Sequence, residues 1–319
     1  MMINRNRPDL WKADVARSVD FYNEWFMRFA PVSFRETRVE TTKQVEEALR
    51  WTANLTDIRP ETLEAYPSVL PILRMSTCPP IARDRLIGLA GVDKNLVESM
   101  EGKSRIPPKM NQLHVIEQLE KIGEIIEKMA DPDIFVWKER GDIGSQEEVH
   151  RASIVVADRL CGSIANPIIR NAQEKRQLAA IKDWLIERGY RELKVGEAKD
   201  WLSMPDGTFC FRFNVPISMS TGKKVNISVD AVIQRKDSSQ YEFPVLLEAK
   251  SAGDFTNPNK RRKEETAKAQ QLKSTYGDKI TFDLFLCGYF DSGYLGYGAA
   301  EGIDWIWEHR IDDLKFLGL

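Results

Sequence analysis

Two runs of β character, Phe209–Met219 and Lys224–Ile233, have only Ser220-Thr221-Gly222-Lys223 between them. Alternating apolar residues on both sides of a short, glycine-containing connection predict a hairpin, which commits this part of the chain to a sheet. A short apolar strand is expected at Val245–Ala249, a helix at Pro258–Tyr276 stopped by Gly277, and a further strand at Ile280–Cys287. Ahead of the hairpin, Pro167–Arg188 reads as one helix ended by Gly189. The order helix, hairpin, strand, helix, strand calls for an α/β fold, a mixed β-sheet flanked by helices.

The first half has a different period. Ala13–Phe29 is amphipathic and rich in aromatics, and Thr41–Leu55 begins with a potential cap and carries Val45, Leu49 and Trp51 at helical spacing. Asn111–Met129 places Leu113, Ile116, Leu119, Ile122 and Ile126 on one stripe. At roughly 150 residues per domain, 319 residues suggest two domains. The change of period between Gly141 and Asn166 puts an all-helical domain at 1–160 and the α/β domain at 161–319. The glycine-rich stretch Gly288–Gly298 reads as a loop.

Scarce residues narrow the chemistry. Four cysteines lie far apart with no CxxC pair, and the three histidines, His114, His150 and His309, are out of helical reach of one another. A disulfide scaffold and a zinc site are therefore not expected. No GxSxG motif supports a serine nucleophile. Carboxylates, lysines and an oxygen-loving metal remain. The net charge of -2 does not exclude nucleic acid, because basic residues can gather on one face. No apolar run approaches the ~18 residues of a membrane span, and Met1–Trp11 is polar, so a cytoplasmic protein without a membrane partner is expected.

The chemistry concentrates in the strands. In Val225-Asn-Ile-Ser-Val-Asp-Ala-Val-Ile233, the residues Val225, Ile227, Val229, Ala231 and Ile233 alternate onto one face, leaving Asp230 with Ser228 on the other. In Val245-Leu-Leu-Glu-Ala-Lys250, Glu248 and Lys250 share a face. If the two strands are neighbours, Asp230, Glu248 and Lys250 converge at one edge of the sheet. Two carboxylates and several waters suit Mg²⁺, which activates a bound water and offsets phosphoryl charge. A neighbouring lysine orients the water and stabilises the added negative charge. These are the parts needed to hydrolyse a phosphodiester. A charged pair ending so apolar a strand also needs a physical reason to be there.

Asp230 followed by Glu248-Ala249-Lys250 resembles the PD-(D/E)xK nuclease signature. The run Ser251–Glu265 resembles type II restriction endonucleases, most closely the Xam-type group. The resemblance covers roughly residues 165 to 300 and departs at Val229, where the motif's proline would stand. Pro205-Asp206-Gly207 has a literal Pro-Asp but is a turn signature. The resemblance implies a restriction-endonuclease-like sheet and Mg²⁺-dependent, site-specific hydrolysis of double-stranded DNA at a short palindrome. It implies Asp230 and Glu248 as metal ligands and Lys250 as the catalytic lysine. It also implies a catalytic role for Glu174, which continues the apolar stripe of Leu178, Ile181 and Leu185. Symmetrical cutting of two strands favours a homodimer, and a cognate DNA methyltransferase is expected as functional partner. The rivals are a repair or junction-resolving nuclease of the same fold, and a DNA-binding regulator with an inactive nuclease core.

Two segments are candidate DNA contacts. Asn257 is a plausible cap and Pro258 a first helical residue for the helix carrying Lys260, Arg261, Arg262 and Lys263. Cations in a first turn oppose the helix dipole, which points to an outside anion such as DNA phosphate. In the first half, Arg83–Met100 fits a helix-turn-helix template through Leu86, Ala90, Gly91, Val92, Val97 and Met100, with Ile87 larger than that template prefers. Asp93, Lys94, Asn95, Glu98 and Ser99 are its expected exposed positions, and Lys103, Arg105 and Lys109 follow in a basic loop.

Overall fold

The computed structural model describes residues 3–319 except 195, 219–221 and 242, and leaves undescribed the side chains of Gln240, Asn257, Asn259, Lys260 and Arg261. In chain order the helices of the first part are α1 (Pro8–Trp51), α2 (Pro60–Ala65), α3 (Leu70–Met75), α4 (Arg83–Ala90), α5 (Lys94–Lys103), α6 (Gln112–Met129), α7 (Trp137–Arg140) and α8 (Gln146–Glu187). There follow β1 (Arg191–Glu192), β2 (Thr208–Ser218), β3 (Lys224–Gln234), β4 (Val245–Ala252), α9 (Asn257–Tyr276), β5 (Thr281–Gly288), α10 (Ser292–Ala300) and β6 (Asp304–Trp307). The chain forms two compact units, Ala30–Ile169 and Met1–Phe29 with Arg170–Leu319.

The unit Ala30–Ile169 is helical. Its core joins Val45 and Leu49 of α1, Leu70 and Leu73 of α3, Leu86 of α4, Leu96, Val97 and Met100 of α5, and Leu119, Ile122 and Ile126 of α6. Asn111 caps α6 by accepting from the backbone N–H groups of Leu113 and His114. The buried stripe of α6 runs through Val115, Leu119, Ile122 and Ile126, whereas the expected members Leu113 and Ile116 are exposed. Thr41 starts no helix. It lies inside α1, and its hydroxyl donates to the carbonyls of Arg38 and Ala157. Pro167 likewise lies inside α8. Both segments of α8 have apolar faces to bury, Leu160, Cys161 and Ala165 before the proline and Leu178, Ile181 and Leu185 after it. Against expectation, one stretch of α8 is apolar enough by length and composition to cross a membrane.

In the other unit the described strands form a six-stranded sheet in the order β1-β2-β3-β4-β5-β6. Strands β2, β3 and β4 pair antiparallel, while β1 joins β2, β5 joins β4 and β6 joins β5 in parallel. One face packs Phe209, Ala231, Ile233, Val245, Leu247, Phe285 and Ile306 on Leu178, Ile181 and Leu185 of α8. The other packs Val232, Leu246, Leu284, Leu286, Trp305 and Trp307 on Leu272 of α9 and Tyr294 and Leu295 of α10. Each fully buried aliphatic or aromatic side chain contributes roughly 1.5–3 kcal/mol, so this two-sided burial holds the sheet in the middle of the unit.

Residues 3–29 belong with this sheet, not with the helical unit that a single cut near 160 would assign them to. The Asp304 carboxylate accepts the backbone N–H groups of Ile3, Asn4 and Arg5 at 2.6–2.9 Å. The Trp11 ring lies 5.5 Å from that of Trp305, and Ser18 Oγ accepts from the Gly288 N–H. The expected loop at Gly288–Gly298 contains α10 instead, whose cap Asp291 accepts from the Tyr294 N–H at 2.7 Å. The burial of Tyr294 and Leu295 offsets the helix-weakening glycines.

The hairpin of β2 and β3 does not present one constant face. Phe209 and Phe211 face the α8 side, but Val215 and Ile217 face the α9 side. In β3, Val229 lies on the α9 side and Ala231 on the α8 side, so the expected single apolar face divides at Asp230. The cause sits across the ribbon. Arg212 has a left-handed backbone, φ +53, and drops out of the ladder between Phe211↔Ala231 and Phe213↔Val229. A left-handed residue in a strand turns the ribbon and re-aims the side chains beside it.

Candidate active site

The ladder between β3 and β4 consists of Ala231↔Leu247, Val232↔Leu246 and Ile233↔Val245, and it stops there. Asp230 and Glu248 are the next residues on each strand. They flank an opening between two central strands, not the outer edge of the sheet. The Ala249 N–H donates to Asp230 Oδ2 at 2.9 Å, so the carboxylate takes over where the ladder ends. Lys250, two residues after Glu248 on the same face, donates to Glu248 Oε1 at 3.1 Å. The three residues predicted to converge do so.

Burial and the neighbouring Glu248 push the Asp230 carboxyl up to about 6, against the lowering effect of the Ala249 N–H, Lys250 and Lys268. Burial pulls the Lys250 ammonium down, but Glu248, Glu265 and Asp230 outweigh it and raise its pKa, so the lysine stays charged. The donor set suits a hard cation. Two carboxylates held close against their mutual repulsion are relieved by a divalent ion that keeps part of its water shell. Among the described residues no group of three or more His, Cys, Asp and Glu forms a fuller metal cage.

Three further residues complete the site, none anticipated from the sequence. Lys268 of α9 donates to Glu248 Oε2 and to the Ser228 carbonyl, each at 2.5 Å. A signal for it existed, because Lys268 falls on the same helical stripe as Glu265, Ala269, Leu272 and Tyr276. Glu265 is buried and accepts from the Tyr294 hydroxyl. Arg212, at the turn of the ribbon opposite Asp230, donates to Glu174 Oε1 at 2.7 Å. Glu174 is therefore anchored to an arginine from β2 and is partly exposed, not buried along its stripe.

The basic start of α9 is partly in view. Thr256 occupies the cap position and Asn257 is already helical. The side chains of Lys260 and Arg261 lie outside the described residues. Lys263 is exposed, while the Arg262 guanidinium lies 4.6 Å over the Tyr297 ring instead of facing open solvent. In the helical unit, α4 and α5 are joined by a turn in which Gly91 is left-handed at φ +60, as a helix-turn-helix requires. Lys94 and Asn95 are exposed, and Lys94 lies 3.6 Å from Glu98. Lys103, Arg105 and Lys109 are exposed as well. Ser99 is not: it is buried, and its hydroxyl donates to the Arg105 carbonyl at 2.8 Å. Position 99 is on the inner side of α5, in line with Leu96 and Met100.

A family model described as XamI restriction endonuclease matches residues 53–307. The chain belongs to the XamI restriction endonuclease family. A curated relative, the type II restriction enzyme SalI of Streptomyces albus G, is 50% identical over 317 residues, covering 99% of this chain and 100% of its own. Protein VC1899 from Vibrio cholerae, a solved structure, aligns at 12% identity with a TM-score of 0.30 over 87% of this chain and 55% of that one, too distant to carry an argument. This XamI-family protein is a type II restriction endonuclease, and its substrate is double-stranded DNA. Membership decides against a repair or junction-resolving nuclease and against a regulator with an inactive core. Enzymes of this type generally work with divalent metal ions.

Proposed function

We propose that this restriction endonuclease cleaves both strands of its target with Mg²⁺ held by Asp230 and Glu248, and with Lys250 acting on the reacting phosphate. What supports the reading is the meeting of Asp230 and Glu248 where one ladder ends, with the Lys250 ammonium on Glu248. An ion held there by Asp230 and Glu248 would supply Lewis acidity to the attacking water and offset charge on the phosphoryl oxygen. The protein's own groups supply the rest. The Ala249 N–H fixes one Asp230 oxygen and thereby the direction of the other. Lys250 has three proton donors on one ammonium, enough to keep Glu248 while orienting a water or meeting a non-bridging phosphate oxygen. Glu174 acts through Arg212, whose guanidinium it holds beside the turn of the ribbon.

DNA is gripped by Lys260, Arg261 and Lys263 on the phosphate backbone, while Arg262, stacked on Tyr297, joins them only by leaving that ring. Lys94, Asn95, Lys103 and Arg105 of the helix-turn-helix segment provide further contacts, and the buried Ser99 supports that segment from within. The enzyme acts as a homodimer in the cytoplasm, beside a methyltransferase that protects the same sequence. The deciding experiment is cleavage of supercoiled plasmid with Mg²⁺, Mn²⁺, Ca²⁺ or EDTA, comparing wild type with Asp230→Asn, Glu248→Gln and Lys250→Ala. Discrete fragments with Mg²⁺, lost in all three variants, are expected. Normal fragments from any one variant remove that residue from the site.

A further inference from the structure

We propose that Lys268 is a positioning residue that holds Glu248 in the metal-free enzyme and yields Glu248 Oε2 to the incoming cation. The proposal rests on the reading of Glu248 as a metal ligand and adds to it a second lysine, from a helix that carries none of the motif. Both Glu248 oxygens are engaged. Lys250 takes Oε1 at 3.1 Å and Lys268 takes Oε2 at 2.5 Å. Glu248 is 8% exposed, and the two lysine side chains are 26% and 18% exposed, so water screens these contacts poorly. A divalent ion on a carboxylate oxygen and an ammonium on the same oxygen repel each other across a few ångströms. One of the lysines must move away for the ion to enter.

The surroundings of the two lysines distinguish them. Lys250 lies on the strand of Glu248 and is drawn by Glu248, Glu265 and Asp230 together. Lys268 arrives from α9 and has a second acceptor, the Ser228 carbonyl at 2.5 Å, while its ammonium lies 5.9 Å from the Phe282 ring. It can release Glu248 and keep that carbonyl, so its departure leaves no buried ammonium without a partner. Lys268 thus keeps the Glu248 carboxylate placed and neutralised when no ion is bound, and lowers the affinity of the DNA-free site for metal.

The test is Mn²⁺ binding to the DNA-free protein, measured by titration calorimetry or electron paramagnetic resonance. Removing a unit charge at this distance, even with screening typical of a protein surface, corresponds to more than tenfold in affinity. Lys268→Gln should therefore bind Mn²⁺ at least tenfold more tightly than wild type, whereas Lys268→Arg should stay close to it. The tightening should vanish when Lys268→Gln is combined with Glu248→Gln. Lys268→Met, which keeps an apolar stem against Phe282, reads the same shift if the glutamine variant melts early. Unchanged or weaker binding, tightening that survives in the double variant, or loss of fold in both uncharged variants would each overturn the proposal. Glu248→Gln alone separates the two layers. If it leaves Mn²⁺ affinity untouched, Glu248 is not a ligand; if it weakens binding while Lys268→Gln does not tighten it, only the role of Lys268 fails.

Discussion

Replacing Asp230 by Asn separates the electrostatic cost of this carboxylate from its chemistry. Burial and Glu248 raise its pKa from 3.8 to about 6, so the folded protein binds this proton more tightly than the unfolded chain. The sign follows by linkage. As pH rises from about 4 to 6, the unfolded chain has released the proton and the folded one has not, so stability falls; above about 6 the full penalty applies. A difference of about two pKa units at 1.36 kcal/mol each comes to roughly 3 kcal/mol at most. Asparagine removes the charge, and its carbonyl oxygen can still accept the Ala249 N–H. In EDTA at pH 8, Asp230→Asn should therefore be more stable than wild type. At roughly 2–4 °C per kcal/mol for a domain of 150–250 residues, the gain is up to roughly 6–12 °C in midpoint. The two proteins should converge near pH 4, and the variant should cut no DNA. The assay is thermal unfolding followed by tryptophan fluorescence across pH 4–8 without divalent ions. A variant less stable than wild type at pH 8, or a gap that widens towards acid, would refute the picture of two carboxylates held close against their repulsion.

Lys250→Ala should abolish cleavage while leaving specific DNA affinity in a Ca²⁺ or metal-free binding assay nearly unchanged, because affinity is spread over many contacts. Lys260→Gln/Arg261→Gln should weaken specific and non-specific binding alike, and each lost phosphate contact should flatten the slope of log K against log salt by about 0.9; an unmoved slope across a salt series assigns both side chains to solvent and shifts phosphate anchoring to Lys103, Arg105 and Lys109. Ser99→Ala should cost about 1 kcal/mol in chemical denaturation through loss of the bond to the Arg105 carbonyl, with base preference unchanged; altered sequence preference in a binding-site selection would instead make position 99 a reading position.

The sequence alone determined what repeats over short distances. Alternation at period 2 placed β2 and β3, with only the residues around 220 between them, and put Glu248 and Lys250 on one face of β4. The helical period and the asparagine cap located α6, and Gly91 marked the turn between α4 and α5. Stop signals were weaker evidence. Thr41 and Pro167 suggested helix starts, yet α1 and α8 run through both: a threonine keeps its backbone N–H, and α8 has buried residues on either side of the one hydrogen bond that its proline interrupts. Only tertiary structure could decide the pairings between residues far apart in the chain. Lys268 reaches Glu248 across 20 positions, Arg212 reaches Glu174 across 38, and Asp304 accepts the Ile3 N–H across 301. Local periodicity carries no information about such partners, because it fixes which side of an element a residue occupies and not what is packed against that side. The division of the hairpin's apolar face at Asp230 belongs to the same class: it follows from one left-handed residue, Arg212, and a non-glycine side chain gives no local sign that the fold will hold its backbone there.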